Sequence, residues 1–155
     1  MNATKNEFHL TAEGISELKT ELLELTTSKR AEIAQRLKEA KADGDLSENA
    51  MFDAARDEQG FVEGRISEIE HILKHASLIQ NKGTTSVGLG STVFVELENG
   101  HQSYTIVGPT EANPDKGKIS HESPIGKALM GRKPGEVVNV VVPSGTISYK
   151  ISKVE

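Results

Sequence analysis

Apolar side chains recur at helical spacing along two long segments in the first half of the chain. In residues 10–41, which contain no proline, successive apolar positions are separated by 3, 4, 3, 8, 4 and 3 residues, a heptad-like stripe with one extra residue near its middle. Between residues 55 and 76 the steps alternate between four and three. The spacing predicts two long helices, the first with Thr11 as its N-cap. The stripe positions are Ile15, Leu18, Leu22, Leu25, Ile33, Leu37 and Ala40 in the first helix, and Ala55, Gln59, Val62, Ile66, Ile69, Leu73 and Ala76 in the second.

Both stripes are narrow and cover about two positions in seven, which suits pairing with one partner helix better than burial in a globular core. Residues 43–50, DGDLSENA, are the short connection between the two helices. We therefore expect an antiparallel coiled-coil hairpin with this segment at its tip. The sequence also allows each helix to pair with another molecule.

The pattern changes after residues 81–90, which are rich in glycine, serine and threonine. Short alternating segments and turns follow, including a hairpin signal at Asn99-Gly100, and they predict a small antiparallel sheet. One short helix, with Ser123 as N-cap and Pro124 as its first residue, is expected to cross this sheet. The predicted class is α+β, with a coiled-coil hairpin in residues 1–80, a linker in 81–90 and an antiparallel β domain with one helix in 91–155.

The composition excludes several kinds of site. The chain has no cysteine, which rules out a disulfide scaffold, a thiol nucleophile and thiolate metal centres. Neither a signal peptide nor a transmembrane segment is visible as an apolar run, so we expect a cytoplasmic protein without membrane contact. The net charge of −5 argues against wholesale binding along a nucleic acid, but it is unevenly distributed, at −6 over residues 1–80 and +1 over residues 81–155.

Four carboxylates, with no cation among them, cluster at the predicted hairpin tip: Asp43, Asp45, Glu48 and Asp53. Asp45 and Glu48 have the spacing of a capping box, and this explanation needs no further function. A functional explanation is that one or two of these carboxylates share a Mg²⁺ ion with groups from another molecule, because few carboxylates on a loop hold Mg²⁺ alone.

Behind the tip the charge is reversed. Residues 28–41 carry a net charge of +3, and Arg56 adds a cation on the second helix. A cationic stem suits a rod whose flank follows a phosphate backbone. The alternative is an ordinary solvated helix face with mixed charges.

Segments 44–50 (GDLSENA), 54–61 (AARDEQGF) and 63–66 (EGRI), together with 123–131 (SPIGKALMG) and 135–137 (GEV), resemble the bacterial Gre transcript-cleavage factor family, in particular its GreA type. The resemblance runs over nearly the whole chain in one order. It implies an FKBP-like fold for the second half. It also implies a factor that binds RNA polymerase at the secondary channel and stimulates the polymerase to cleave the RNA 3′ end in backtracked complexes.

By the same resemblance, Asp45 and Glu48 would help hold the second Mg²⁺ and position the attacking water, while the polymerase supplies the first metal and its ligands. The protein would then not be an enzyme itself, and we expect it to act as a monomer. The remaining implied contacts are Arg36, Lys41 and Arg56 with the nascent RNA 3′ segment or the channel wall, and Ser123, Pro124 and Ile125 with the channel rim.

Two residues depart from the family pattern. Met51 stands where many relatives have an acidic residue, and Phe52 replaces a common tyrosine. Loss of one tip charge leaves the strength of stimulation open. Two other functions are also open: a Gre-like inhibitor that plugs the channel, and a prolyl isomerase suggested by the FKBP-like half. The second is disfavoured because six aromatic residues are few for an apolar proline pocket.

Overall fold

The computed structural model of the chain describes residues 7–43, 46–80 and 85–155, and their side chains except those of 43 and 46–49. These residues separate into two compact units. One unit consists of residues 15–75, and the other of the described residues before 15 and after 75. The predicted α+β class is confirmed, with a long helical region followed by a sheet domain.

The helical unit contains two long helical stretches joined near the predicted tip. None of the described helices is both long and apolar enough to span a bilayer. Thr11 is the N-cap of the first stretch, as predicted, because its hydroxyl accepts a hydrogen bond from Gly14 N–H at 3.0 Å. The elements are α1 (Ala12–Glu24), a π-helical segment (Leu25–Lys29), α2 (Arg30–Asp43) and α3 (Leu46–Lys74).

The π-helical segment lies at the position of the extra residue in the apolar stripe. The N–H of Arg30 donates to the carbonyl of Leu25, five residues earlier. Such a turn takes up one residue more than an α-helical turn, so the eight-residue step from Leu25 to Ile33 keeps both side chains on the buried stripe. The hydroxyls of Thr26 and Thr27 donate to the carbonyls of Leu22 at 2.7 Å and Leu23 at 2.6 Å, which satisfies acceptors in the preceding turn.

The second long helix begins earlier than its stripe predicts. The prediction placed residues 43–50 in the connection, whereas α3 begins at Leu46. Its first residues carry no apolar stripe, so periodicity gave no signal for them, although Glu and Ala favour helix there. The predicted helix also extended to Ala76, which instead lies in a strand.

Ile33, Val62 and Ile66 form the buried core between the helices, flanked by half-buried Leu22, Leu25 and Leu37. The predicted intramolecular hairpin is therefore present. Among the described side chains, three sets of ion pairs cross between the two stretches, and their numbering shows the antiparallel arrangement: Glu21 with Arg65, Arg30 with Glu63, and Lys29 and Arg36 with Glu58.

The second unit is built on a five-stranded sheet of order β5-β4-β3-β7-β6. The expectation of a wholly antiparallel sheet is wrong at one pair, because β5 runs parallel to β4. The chain after β4 turns through two short 3₁₀ helices, Pro109–Glu111 and Pro114–Lys116, and returns along the same edge. The strands are β3 (Thr92–Leu97), β4 (Gly100–Val107), β5 (Lys118–Ser120), β6 (Val137–Val142) and β7 (Gly145–Val154).

A separate parallel pair of short strands was not predicted. β1 (Phe8–Leu10) pairs with β2 (Ala76–Leu78), and both belong to the unit that contains the sheet. Leu10 is fully buried, and its carbonyl accepts a hydrogen bond from Ile79 N–H at 2.7 Å.

The short helix α4 (Pro124–Leu129) begins as predicted. The Ser123 hydroxyl accepts a hydrogen bond from Gly126 N–H at 3.0 Å, and Pro124 occupies the first helical position. A Cβ at Gly126 would lie 2.0 Å from the carbonyl oxygen of Ser120, so this close approach requires glycine. Leu129 packs into the core of the sheet with Val87, Val93, Val95, Ile106, Ile119, Val138, Val140, Tyr149 and Ile151.

Candidate functional site

The predicted tip carboxylates lie at the junction of the two long helices. α2 ends at Asp43 and α3 begins at Leu46, so Asp45 is one of two residues between them and lies outside the described residues. Glu48 is in the first turn of α3, but its side chain also lies outside the described part. The capping-box and metal-sharing explanations both stay predictions.

Among the described side chains, no three carboxylates or histidines gather into a potential metal site. Of the tip acids, only Asp53 has a described side chain, and it is exposed. Carboxylate oxygen is the donor that Mg²⁺ prefers, so Asp45 and Glu48 are chemically suited to it, although two carboxylates do not complete six-fold coordination.

Arg36, predicted to contact RNA or the channel wall, is paired within the hairpin. Its guanidinium donates to Glu58, and the ammonium of Lys29 lies 2.9 Å from the same carboxylate. Hydrogen bonds from Lys29 and Arg36 lower the pKa of the Glu58 carboxyl. Arg36 is half-exposed, so it retains access to solvent but has a competing internal partner.

Two bidentate arginine–glutamate pairs also lie along the same hairpin. Both guanidinium nitrogens used by Arg30 are 2.7 Å from the Glu63 carboxylate. Those of Arg65 are 2.7 and 2.9 Å from Glu21. The hydrogen bond to Arg65 lowers the pKa of Glu21. Planar, two-point contacts of this kind fix the register of one helix against the other.

Lys41 and Arg56, the other predicted stem contacts, lie together. They line a surface depression of about 330 Å³ whose other lining residues are Leu37, Lys38 and Phe52. Arg56 donates to the side-chain oxygen of Gln59 at 3.0 Å. A depression with three cations and one aromatic ring can accept a phosphate together with a stacked base.

The predicted rim contacts at the start of α4 border a cavity of the sheet unit with a volume of about 690 Å³. Tyr104 is the one aromatic residue among those that line it. Burial, followed by the charge interaction with the Tyr149 hydroxyl, raises the pKa of the Tyr104 hydroxyl. The lining residues are Gln102, Ser103, Tyr104, Ala112, Pro114, Gly117, Lys118, Ile119, Ser120, Ser123, Pro124, Ile125 and Val142.

Sequence reasoning assigned no contact to three members of these surfaces: Lys38, Phe52 and Tyr104. Lys38 and Phe52 complete the cationic depression, although Phe52 stands out in the sequence only as a departure from the family pattern. For Lys38 the sequence did carry a usable signal, because it lies three residues before Lys41 and therefore on the same helix face. Tyr104 gave no such signal, because only the fold of the sheet places it near Ser123.

Comparison with known proteins places the whole chain in one family. Residues 8–78 match the family model described as transcription elongation factor, N-terminal, and residues 82–155 match transcription elongation factor, GreA/GreB, C-term. The chain is 48% identical to transcription elongation factor GreA of Listeria monocytogenes over 156 residues, with 98% of each chain covered. It is also 48% identical to GreA of Bacillus subtilis over 155 residues, with 98% of this chain and 99% of the relative covered.

Among solved structures, the chain matches GreA factor homolog 1 (Gfh1) of Thermus thermophilus at 30% identity with a TM-score of 0.46, covering 97% of this chain and 99% of that one. The family models cover nearly the whole length, and the GreA relatives are well above 30% identical over it. The chain therefore belongs to the GreA/GreB family of transcription elongation factors.

Proposed function

We propose that this protein binds RNA polymerase at its secondary channel and stimulates the polymerase to cleave the RNA 3′ end in backtracked complexes. The observation that carries the proposal is the helical hairpin, in which only two residues separate α2 from α3. Asp45 and Glu48 lie at this junction, which is the end of the hairpin that could enter a narrow channel. The cleavage chemistry belongs to the polymerase, and this protein acts on it as one copy in the cytoplasm.

Asp45 and Glu48 are proposed to hold a Mg²⁺ ion jointly with the polymerase. When bound, Mg²⁺ supplies Lewis acidity that lowers the pKa of a coordinated water and stabilises the oxygens of an in-line displacement. The two carboxylates add negative charge where a second metal ion binds weakly, and their free oxygens can accept hydrogen bonds from the attacking water. They therefore position the nucleophile without forming a complete metal site in this chain.

The stem is proposed to guide the extruded RNA. Lys41 and Arg56, with Phe52 beside them, offer positive charge and an aromatic face at the same depression. Arg36 contributes less to RNA binding in this proposal than the other two, because Glu58 neutralises it within the hairpin. Ser123, Pro124 and Ile125, together with the cavity beside them, are proposed to contact the channel rim.

A backtracked elongation complex with labelled RNA tests the proposal. Wild-type protein should accelerate cleavage, whereas Asp45→Ala and Glu48→Ala should lose at least tenfold of that acceleration while still competing with wild type for the polymerase. Glu24→Ala, which removes an exposed carboxylate from α1, is the matched control and should cleave as well as wild type.

Equal cleavage by the wild type and both tip variants would show that the tip mechanism is wrong. Elongation at low nucleotide concentration, measured in the same complexes, separates stimulation from inhibition. Strong slowing by the wild type without RNA cleavage would show a channel-plugging inhibitor instead.

A further inference from the structure

His71 and His75 lie close together at the C-terminal end of α3. His71 is in the last turn of the helix, and His75 directly follows its last residue, Lys74. Residues four apart on a helix lie on the same face. The centroids of the two imidazole rings are 4.4 Å apart and the ring planes are tilted by 48°, so the rings are neighbours without stacking face to face. Two histidines at this spacing are an arrangement by which a single helix binds a metal ion.

The separation of the rings fits two ligands of one ion. A metal–nitrogen bond of about 2.0–2.1 Å places the centroid of an imidazole ring about 3.2 Å from the ion. Two such centroids are about 4.5 Å apart when the ligands subtend about 90° at the ion, and about 5.2 Å apart at the tetrahedral angle. The observed 4.4 Å therefore fits adjacent positions of a square-planar or octahedral ion better than those of a tetrahedral ion.

A backbone hydrogen bond orients the His75 ring. Its Nδ1 lies 2.8 Å from the carbonyl oxygen of His71. A carbonyl oxygen can only accept, so Nδ1 donates, and in the neutral ring Nε2 then carries the lone pair that a metal ion needs. Histidines that bind metals characteristically donate their second ring nitrogen to a carbonyl or carboxylate, which fixes the orientation of the ring. His75 has this arrangement already.

The surroundings of the pair favour a cation. The C-terminal end of a helix carries a partial negative charge, and α3 has 29 residues. Residues 68–74 add two glutamates and one lysine, a net charge of −1 with neutral histidine. His71 is exposed and His75 half-buried, so water can reach a bound ion and complete its coordination.

We propose that His71 and His75 form a binding site for a divalent transition-metal ion, with Cu²⁺ bound more tightly than Ni²⁺ or Zn²⁺. Cu²⁺ has the highest affinity for nitrogen ligands in the first-row divalent series, and its tetragonal geometry provides positions about 90° apart. Among the described side chains no third histidine or carboxylate completes a cluster with this pair. Water occupies the other positions, so the ion exchanges more readily than one held by four protein ligands.

This site is distinct from the proposed Mg²⁺ contacts. His71 lies about 38 Å from Leu46 along the axis of α3, at about 1.5 Å of rise per residue. The ligand chemistry also differs, because Mg²⁺ prefers oxygen ligands whereas imidazole suits Cu²⁺ and Ni²⁺. The inference therefore does not rest on the proposed function.

Isothermal titration of the full chain, without an affinity tag, with CuCl₂, NiCl₂ or ZnCl₂ tests the proposal. A pH of about 7.5 is chosen because metals bind neutral imidazole. The wild type should bind one Cu²⁺ per chain at this site, and His71→Ala and His75→Ala should each weaken that binding by at least about tenfold. His101→Ala, which removes an exposed histidine from β4, is the matched control and should bind Cu²⁺ as the wild type does. Circular dichroism checks that all four proteins are folded.

Electron paramagnetic resonance of the complex with one equivalent of Cu²⁺ identifies the ligands. The spectrum of the wild type should show hyperfine coupling to two imidazole nitrogens, and that of either single variant to one at most. A purely structural role of the histidines in the last helical turn would not produce this difference.

A wild type that does not bind Cu²⁺ overturns the proposal. So does an equal affinity of the wild type and both histidine variants. Tighter binding of Zn²⁺ than of Cu²⁺ would contradict the proposed choice of metal.

Discussion

Glu111 accepts two hydrogen bonds from Thr11, a residue 100 positions earlier in the chain. One comes from the backbone N–H at 2.7 Å and the other from the hydroxyl at 2.6 Å. The same hydroxyl caps Gly14 N–H, so the first turn of α1 begins in a small network. A Cβ at Gly14 would lie 2.2 Å from the Glu111 carboxyl group, which explains glycine inside this first helical turn.

The Glu111 network predicts a measurable contribution to stability. Replacing Glu111 by Ala leaves the Thr11 N–H without its partner and should lower the free energy of unfolding by about 1–3 kcal/mol, as measured by urea denaturation at neutral pH. Glu98→Ala, which removes an exposed carboxylate elsewhere, is the control and should change stability by less than about 0.5 kcal/mol. An equal loss of unfolding free energy in Glu111→Ala and Glu98→Ala would contradict the stabilising role of the Glu111 network.

Replacing glycine by alanine should have opposite effects on the free energy of unfolding in the two units. A Cβ at Gly60 or Gly64 meets nothing within 4 Å, and both residues lie inside α3. Each alanine should therefore raise the free energy of unfolding by about 0.5–1 kcal/mol, because it reduces the freedom of the unfolded chain and favours helix.

Gly126→Ala should destabilise instead, because its Cβ would lie 2.0 Å from the Ser120 carbonyl oxygen. Thermal unfolding followed by circular dichroism compares all three variants. A loss of stability at Gly60 would indicate that this glycine serves a backbone requirement that the structure does not show.

The Glu21–Arg65 pair predicts a dependence of stability on pH. Arg65 lowers the pKa of Glu21 below its ordinary 4.5, so the pair stabilises the fold above that pH and loses its contribution as the pH falls through the lowered value. Because both side chains are about 40% exposed, the contribution at pH 7 is expected to be only about 0.5–1 kcal/mol.

The measurement is the difference in unfolding free energy between wild type and Glu21→Gln from pH 7 to pH 3. It should shrink below about pH 4.5, the ordinary value for this group. In a protein that already carries Arg65→Met, Glu21→Gln should no longer cause a pH-dependent change in the unfolding free energy. An unchanged pH-dependent effect in that protein would show that the guanidinium is not its source.

The π-helical segment predicts an unusual tolerance to deletion. Removing Ser28 brings Leu25 and Ile33 to a seven-residue separation, which an ordinary α-helix places on one stripe. The variant should keep its helical content and lie within about 1 kcal/mol of wild-type stability.

Deleting Gln35 from the regular helix α2 is the control. It rotates the residues on either side of the deletion by about 100° relative to each other, so it should cost several kcal/mol of stability. Far-UV circular dichroism during urea denaturation measures both deletions. Comparable losses would show that the π-helical turn does not absorb an extra residue.

The hairpin was predictable from the sequence because the helical spacing of apolar residues is repeated along both long helices. All seven positions of the first apolar stripe are at least half-buried, and even the irregular step after Leu25 has a structural counterpart. Ser123 was similarly informative, since a cap followed by proline leaves few local alternatives. The start of α3 at Leu46 was missed because the apolar stripe in the sequence begins only at Ala55.

Other features depend on contacts between distant residues. β1, β2 and β5 have three residues each, too few to display alternation, and their pairing depends on the rest of the fold. The candidate site also combines features that the sequence shows with features that depend on contacts between distant residues. The charge pattern indicated a cationic stem and the family resemblance singled out Lys41 and Arg56, but the neutralisation of Arg36 by Glu58 requires the register of the hairpin.

Burial along α3 is uneven, and this has a consequence for the timescale of local opening. Its buried residues are closely spaced between Val62 and Ile72, whereas Ala55 is the one fully buried residue described before Val62. Amide hydrogens should therefore exchange with deuterium progressively faster from the end of α3 toward its start. Within the described part of α3, local opening should therefore require the least free energy near the start of the helix, on the side of the residues proposed to act in the polymerase.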